Sequence, residues 1–551
     1  MIKCFRGRHV QTAPMPADKT NNKDYRTLSN SKENGEPKSR DRATLNPLRN
    51  ERKITTNDSL SNPSNKKESG KNPSDPSESE NSAAADFVLK IENKPQIESE
   101  ELNYAEQKKA KKEEKQTDKD FEMLTGDNWL IRNGHTLTYA GLYLFSILVL
   151  FRPYELIPAL GFLSATAFYF AAVTLAIYLP TQLATEGNLT IFTTEVKAII
   201  VLTLIAAITI PIAKSPLTAW EEFNDPFIKA VLIFIVMVNV VRTRRRLMGL
   251  MWLSLAIGVY LSYTAIGMYM RGELKAEGYR VAVEMGGMYG NPNEMALHLV
   301  MFTPIVIALG IASKNNLLRV VYFAMAALFI GANFVTYSRG GFLGLLAAMA
   351  VLVWKLGKKN RLNVTIFTVF AGFFALILAP GNYGLRMLSI FIPGLDPVGS
   401  SDQRKELLER SILVTLRNPW GIGIGNFPIV GIHHLVSHNA YTQVSSELGL
   451  LGLAAYLIFL ISPFRKLGAI ERTMHKENEH GWFYYLAIGL QAGIVAYMVS
   501  SFFASVAYNW FIYYLIAYAV AFRRVYGIEK GLTNDVQAES LKEKILRLKT
   551  A

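Results

Sequence analysis

From about Thr136 onward, the chain is built of long uninterrupted apolar runs, among them TAFYFAAVTLAIYLP at 166–180 and HLVMFTPIVIALGIA at 298–312. A helix needs about 20 mostly apolar residues to cross a bilayer. Inside hydrocarbon only helices or closed barrels satisfy their own peptide groups. These runs are continuous and do not alternate, so they predict helices rather than barrel strands. About twelve spans are expected, centred on 136–151, 158–179, 191–212, 227–241, 247–270, 294–313, 317–337, 340–356, 362–379, 440–463, 482–504 and 507–522. The first, fourth and last are short and the hardest to bound.

Residues 1–125 have another character: Ser, Asn, Lys, Glu and Pro abound, and the charges nearly balance. Such a segment buries too little to offset chain entropy and is expected to be a disordered tail. The opening MIKCFRGRHV lacks the apolar core of a signal peptide. The single cysteine, Cys4, excludes a disulfide within the chain. The net charge of +14 is explained by basic loops of a membrane protein rather than by nucleic-acid binding.

Those basic loops set an orientation. Arg242 and Arg244–Arg246, then Lys355, Lys358, Lys359 and Arg361, then Arg465, Lys466, Arg472 and Lys476, and finally Arg523 and Arg524 fall on one side of the counted spans. The positive-inside bias makes that side the cytoplasm and puts both termini there, with 526–551 as a cytoplasmic tail. One long insertion, 380–439, then faces outward. Within it, SSDQRKELLERSILVTLRNPWGIG reads as an amphipathic helix. Ser401 or Asp402 is placed to cap it, Leu408, Ile412 and Thr415 share a face, and Pro419 with Gly421 ends it. The C-terminal ESLKEKILRLK reads as a short amphipathic helix.

Arginines on the outer side break the bias. Arg339 in YSRGG, Arg404, Arg410 and Arg417 in the long insertion, and Arg271 and Arg280 between spans 5 and 6 all lie there. Arg339 reads either as a phosphate contact, through its bidentate fork, or as a snorkelling or helix-pairing residue. Arg404 reads either as a phosphate contact or as part of a solvated face, and Arg410 and Arg417 as surface residues or supports. The two glycines after Arg339 permit close approach of a helix or ligand. His438 opens a span and is suited to proton transfer near neutrality, although an exposed loop histidine is the plain alternative. His434 and His438 are spaced for one helical face, but the Glu of H-E-x-x-H is missing, so no metal site is assigned. Glu447, nine residues beyond His438, reads as a structural carboxylate holding its span against neighbours. Asn291 or Asn293 caps span 6 with Pro292 at the entry, and Asn293 is also placed to face a polar cavity. GIGIG at 421–425 follows a helix, not a strand, so a dinucleotide fold is rejected.

Taken together, YSRGGFLGLL, QRKELLERSILVTLRNPWGIGIGNF and HNAYTQVSSELGLLGLAAYL, in that order, resemble the O-antigen ligase and O-antigen polymerase family. FRPYELIPAL and YGNPNEMALHL are also similar to it. The likeness spans roughly 136–525. It implies an all-α, polytopic membrane fold of GT-C type and a cofactor-free, metal-independent glycosyltransferase in the bacterial inner membrane. The implied donor is a glycan on undecaprenyl pyrophosphate, and the implied acceptor is a hydroxyl of lipid A core or of another glycan. By the same resemblance Arg339 and Arg404 bind pyrophosphate and His438 is catalytic; Glu447 and Asn293, from the reading of the residues themselves, are expected as supports. Leu408 stands where the family's loop motif often has tryptophan. A secondary transporter or channel for a small anion is the alternative of a different class.

Overall fold

The computed structural model describes residues 129–532, except 165, 275, 284–288, 358–361, 364, 367–368, 371, 373–382 and 389–399. The expected N-terminal tail, the C-terminal amphipathic segment and most of the expected span at 362–379 lie outside the described residues.

The helices used below are α1 Trp129–Ser146, α2 Thr166–Glu186, α3 Thr194–Thr209, α4 Pro216–Glu222, α5 Ile228–Val240, α6 Arg244–Met270, α7 Pro292–Ala312, α8 Asn316–Val335 and α9 Arg339–Leu356. They continue with α10 Tyr383–Leu388, α11 Ser400–Arg417, α12 Ala440–Lys476, α13 Trp482–Ser500 and α14 Trp510–Glu529. Among the described residues, ten helices are long and apolar enough to cross a membrane, and the only β-type pairing is an isolated bridge, Ala276 to Arg280. The protein is an all-α, polytopic membrane protein.

Three spans expected to be short extend further than their apolar runs: Asn133–Phe151, Pro216–Val240 and Trp510–Glu529. The expected span at 191–212 is the 16-residue α3, shorter than the usual bilayer-crossing length.

Burial orders the bundle. Of the window within Pro292–Ala312, 83% is inside the protein, as is 83% within Trp510–Glu529, against 6% for Ala159–Glu186. Helices α7 and α14 therefore form the centre and α2 faces lipid. Helix α13 packs on both α7 and α9, α8 on α7, and α3 on α12. Small residues make these approaches possible, as expected where lipid offers no hydrophobic contrast. At Gly344 an added Cβ would meet Ser500 Oγ at 2.3 Å and the Ala496 carbonyl at 3.0 Å. Ser500 Oγ also donates to the Gly340 carbonyl at 2.7 Å, so the head of α9 is seated directly on α13.

One end of the bundle is stitched by ion pairs. Glu186 binds Arg242 and Arg524, each at 2.6 Å. Fully buried Glu195 binds Arg523 at 2.7 Å and Lys466 at 3.3 Å. Lys355 binds Glu471 at 2.7 Å. These contacts join the ends of α2, α3, α5, α9, α12 and α14, so the basic residues used for orientation do gather at one end.

Helix α12 is broken within its span. Gly449 has φ of +74°, a left-handed conformation that favours glycine. Its missing helical bonds are replaced by the chain at 419–423. Leu450 N–H donates to the Pro419 carbonyl at 2.9 Å, Ile422 N–H to Ser446 at 3.0 Å, and Gly423 N–H to Glu447 at 2.9 Å. The glycines of GIGIG thus allow backbone to lie against backbone.

Gly344→Val should cost about 1–3 kcal/mol through overpacking of α9 on α13. Thermal unfolding in detergent reads this directly, and an unchanged midpoint would contradict the packing described.

Candidate active site

The end of the bundle opposite the ion-pair stitching carries a concentration of guanidinium groups. It is organised by the short turn between α8 and α9. Tyr337 in this turn has φ of +52°, and Ser338 caps α9 by accepting from Gly341 N–H at 3.1 Å. Two arginines clamp the turn through successive carbonyls: Arg280 Nε donates to Thr336 at 2.8 Å, and Arg386 Nε to Tyr337 at 2.9 Å.

Arg280 is buried and holds three partners. Besides Thr336, it pairs with Glu277 at 3.0 Å and donates to Asn293 Oδ1 at 2.7 Å. The same Asn293 oxygen accepts from Ser338 Oγ at 2.9 Å. Asn293 therefore ties the head of α7 to the head of α9, as a brace on the arginine cluster. The cap of α7 itself is Asn291, followed by Pro292 at the first helical position.

Arg386 reaches the cluster from α10. That helix sits on an aromatic group in which Tyr383 contacts Phe334, Tyr337 and Phe342. Arg386 lies 4.8 Å over the Tyr279 ring, is hydrogen-bonded to its hydroxyl and faces Glu277 at 3.7 Å.

Arg339 is the first residue of α9 and is buried. Arg404 projects from α11. Burial, and then the charges of Arg280, Arg339 and Arg386, push the Arg404 pKa down to about 10, with Glu277 opposing. Arg404 still carries its charge at neutral pH, but four guanidiniums share this region. Gathering like charges is unfavourable unless an anion offsets them.

Helix α11 begins at Ser400, so Ser401 and Asp402 fall in its first turn rather than at its cap. Its buried face is Leu407, Ser411, Val414 and Thr415, whereas Ile412 is 46% exposed. Of the three residues read as one face, Thr415 is buried whereas Ile412 points out. Thr415 meets Ser445 of α12 at 3.0 Å, which sets which way α11 turns. Arg404 precedes Leu407 and Ser411 by three and seven residues, on the side that faces the protein. Arg410 braces the Val430 carbonyl at 3.0 Å, and Arg271 forms an exposed pair with Glu273 at 2.6 Å.

His438 lies just before the N-cap of α12, Asn439, whose side chain accepts from Tyr441 N–H at 2.9 Å and Thr442 N–H at 3.1 Å. It is half-buried, with φ of +52°. Burial, and then the Arg404 charge, push its pKa down to about 4. The imidazole is therefore neutral at ordinary pH and able to accept a proton. His433 and His434 lie apart in a single 3-10 turn and are exposed. No helix connects His434 to His438, so their spacing does not place them on one helical face.

The structure thus brings Arg339, Arg404, His438 and Asn293 into one region. Glu447 is elsewhere. Its carboxylate accepts from Phe427 N–H at 3.2 Å and also meets the Tyr508 hydroxyl, so it joins α12 both to the 419–427 segment and to the residues that open the last span. Sequence reasoning noted Arg280 only as an outer arginine, and it passed over Arg386 and Glu277. The sole trace of Arg386 was a cation in YGLRML, within the outer insertion.

An all-helical membrane bundle with a guanidinium cluster and a neutral imidazole at one end defines the class: a polytopic membrane protein with a largely buried polar site at one end of its bundle. Residues 323–457 match the family model described as O-antigen ligase. The match supports the O-antigen ligase family and, with it, a membrane glycan-processing function of ligase or polymerase type. It includes Arg339, Arg386, Arg404 and His438, and leaves out Arg280 and Asn293. No curated protein matches the chain.

Asn293→Ala removes the shared acceptor of Arg280 and Ser338. The expected cost is about 1–3 kcal/mol for the groups left behind, seen as a lower unfolding midpoint in detergent. Asn293→Asp, which keeps an acceptor, should restore it.

Proposed function

We propose that this protein transfers a glycan from undecaprenyl pyrophosphate to an acceptor hydroxyl, on the outer face of the bacterial inner membrane. The observation that carries the reading is the meeting of Arg280, Arg339, Arg386 and Arg404 beside the neutral imidazole of His438. A diphosphate is the natural counter-charge for such a cluster, because guanidinium forks match phosphate oxygens.

In the reaction, the acceptor oxygen bonds to the anomeric carbon of the donor sugar. The bond from that carbon to the pyrophosphate oxygen breaks, and its electron pair leaves with the lipid pyrophosphate. The acceptor proton goes to His438. Arg339 and Arg404 stabilise the charge growing on the leaving group and take the part that a metal ion has in other transferases. Glu277 and Asn293 hold Arg280 and so fix the geometry of the arginine cluster.

The distribution of charge supports the outer face. The Arg242, Arg523, Arg524 and Lys466 end is assigned to the cytoplasm by the positive-inside bias, which leaves the arginine cluster outside. There a lipid-linked donor is the form in which an activated glycan is presented. Confinement of the cation cluster to one end of the bundle favours transfer over transport. The acceptor is a hydroxyl of lipid A core for a ligase, or of another lipid-linked repeat for a polymerase.

Reconstituted protein supplied with a lipid-linked glycan and an acceptor gives the test. Arg339→Lys and Arg404→Ala should each lower transfer by roughly 10²–10³, and His438→Ala by roughly 10²–10⁴. Full transfer by His438→Ala removes the proton-acceptor role, and full transfer by Arg339→Lys removes the need for a bidentate fork.

The pH dependence has a definite sign. The neutral imidazole is the accepting form, and its pKa is depressed to about 4. The acid limb of kcat/KM should therefore lie near pH 4, well below an ordinary histidine's. In Arg404→Ala, where the guanidinium opposing protonation is gone, the limb of the residual activity should move up. A limb that stays in place would show that Arg404 does not act on His438.

A further inference from the structure

The opposite, basic end of the bundle holds a cavity of about 880 Å³. It lies where the end of α7, the start of α8, the start of α13 and the end of α14 converge. Arg244, Lys314, Arg319 and Lys530 line it, against the one lining carboxylate of Glu479. None of these residues belongs to the site described above.

Two of the cations are already engaged. Lys530 pairs with Glu479, and Arg244 binds Glu529 at 2.7 Å while lying 4.5 Å over the Trp482 ring. Lys314 and Arg319 are exposed, and Arg319 also donates to the Ser313 carbonyl at 2.9 Å. Trp482 and Tyr485 line the wall, the side-chain types that settle at the level of lipid head groups. Beside the cavity, α8 exposes Leu317, Val320 and Phe323. The cavity therefore joins a cationic, aromatic-walled recess to an apolar strip running into the bilayer. That combination suits an amphiphile with an anionic head and hydrocarbon tails.

We infer that this cavity binds the phosphate head group of an anionic phospholipid in the leaflet at this end, with an acyl chain lying along α8. The lipid's phosphate meets Lys314 and Arg319, and Arg244 and Lys530 add to the field behind them. The inference does not depend on the chemistry at the far end of the bundle.

Full-length protein in nanodiscs of phosphatidylglycerol or phosphatidylcholine, read by native mass spectrometry and thermal unfolding, tests it. Phosphatidylglycerol should be retained and raise the unfolding midpoint, whereas phosphatidylcholine should do neither. Lys314→Gln with Arg319→Gln should weaken retention by roughly tenfold or more, and the charge-conserving pair Lys314→Arg with Arg319→Lys should retain the lipid. Equal retention of the two lipids, or unchanged retention by the glutamine variant, overturns the inference. Equal protection by inorganic phosphate alone would show a soluble-anion site and overturn the lipid assignment. Transfer activity is measured in parallel, so loss of lipid retention with transfer intact separates this site from the proposed catalytic one.

Discussion

Hydrocarbon offers a peptide group no hydrogen-bond partner, and the architecture of this protein follows from that constraint. It makes the apolar runs helical. It also explains why the break at Gly449 is accompanied by a stitched segment. Where Gly449 leaves the helical conformation, the bond that Leu450 N–H would have made within α12 goes to Pro419, and the freed Ser446 carbonyl takes Ile422 N–H. The same segment is fastened on its other side, where Lys214 N–H donates to Ile422 at 3.0 Å and Ser215 N–H to Asn426 Oδ1 at 2.6 Å. Glu447, a carboxylate placed deep in the bundle, serves this fastening through Phe427 N–H.

Charge obeys the same constraint by moving to the ends. At one end carboxylates and cations pair within the bundle, as around Glu195, and the pairs tie helix ends together. Removing one partner of such a buried pair leaves a charge that costs about 3–5 kcal/mol. At the other end, among the described residues, Arg280, Arg339, Arg386 and Arg404 gather with Glu277. Arg280 and Arg386 are held by backbone carbonyls, and Arg280 by Asn293 as well, rather than by acids alone. This cluster is where the proposed pyrophosphate site is placed.

Much of this was legible from one dimension. Hydropathy marked most of the spans, and the basic loops marked a single end of the bundle. Arg339, Arg404 and His438 stood out because they flank spans in motif order. What escaped were features set by the folding of the insertion. Arg386 joins the cluster only because the Tyr383 aromatic group seats α10 on the head of α9. The buried face of α11 could not be read from apolarity, because Ser411, a polar residue, lies inside while Ile412 faces out. Glu447 was expected to hold its span against neighbours; it meets Tyr508 at the head of the last span, and also a loop contiguous with the GIGIG glycines that the sequence did not point to.

The sequence by itself determined that the chain is a helical membrane protein, which end collects the basic loops, and which motif residues sit at helix heads. Those properties depend on composition and on local periodicity, which each segment carries alone. Only the tertiary structure decided which arginines share one electrostatic field, how far His438 is shifted, and where a break in α12 finds its missing hydrogen bonds. Those depend on distances between segments remote in the chain. Burial and charge act through space, and neither is encoded in any one segment.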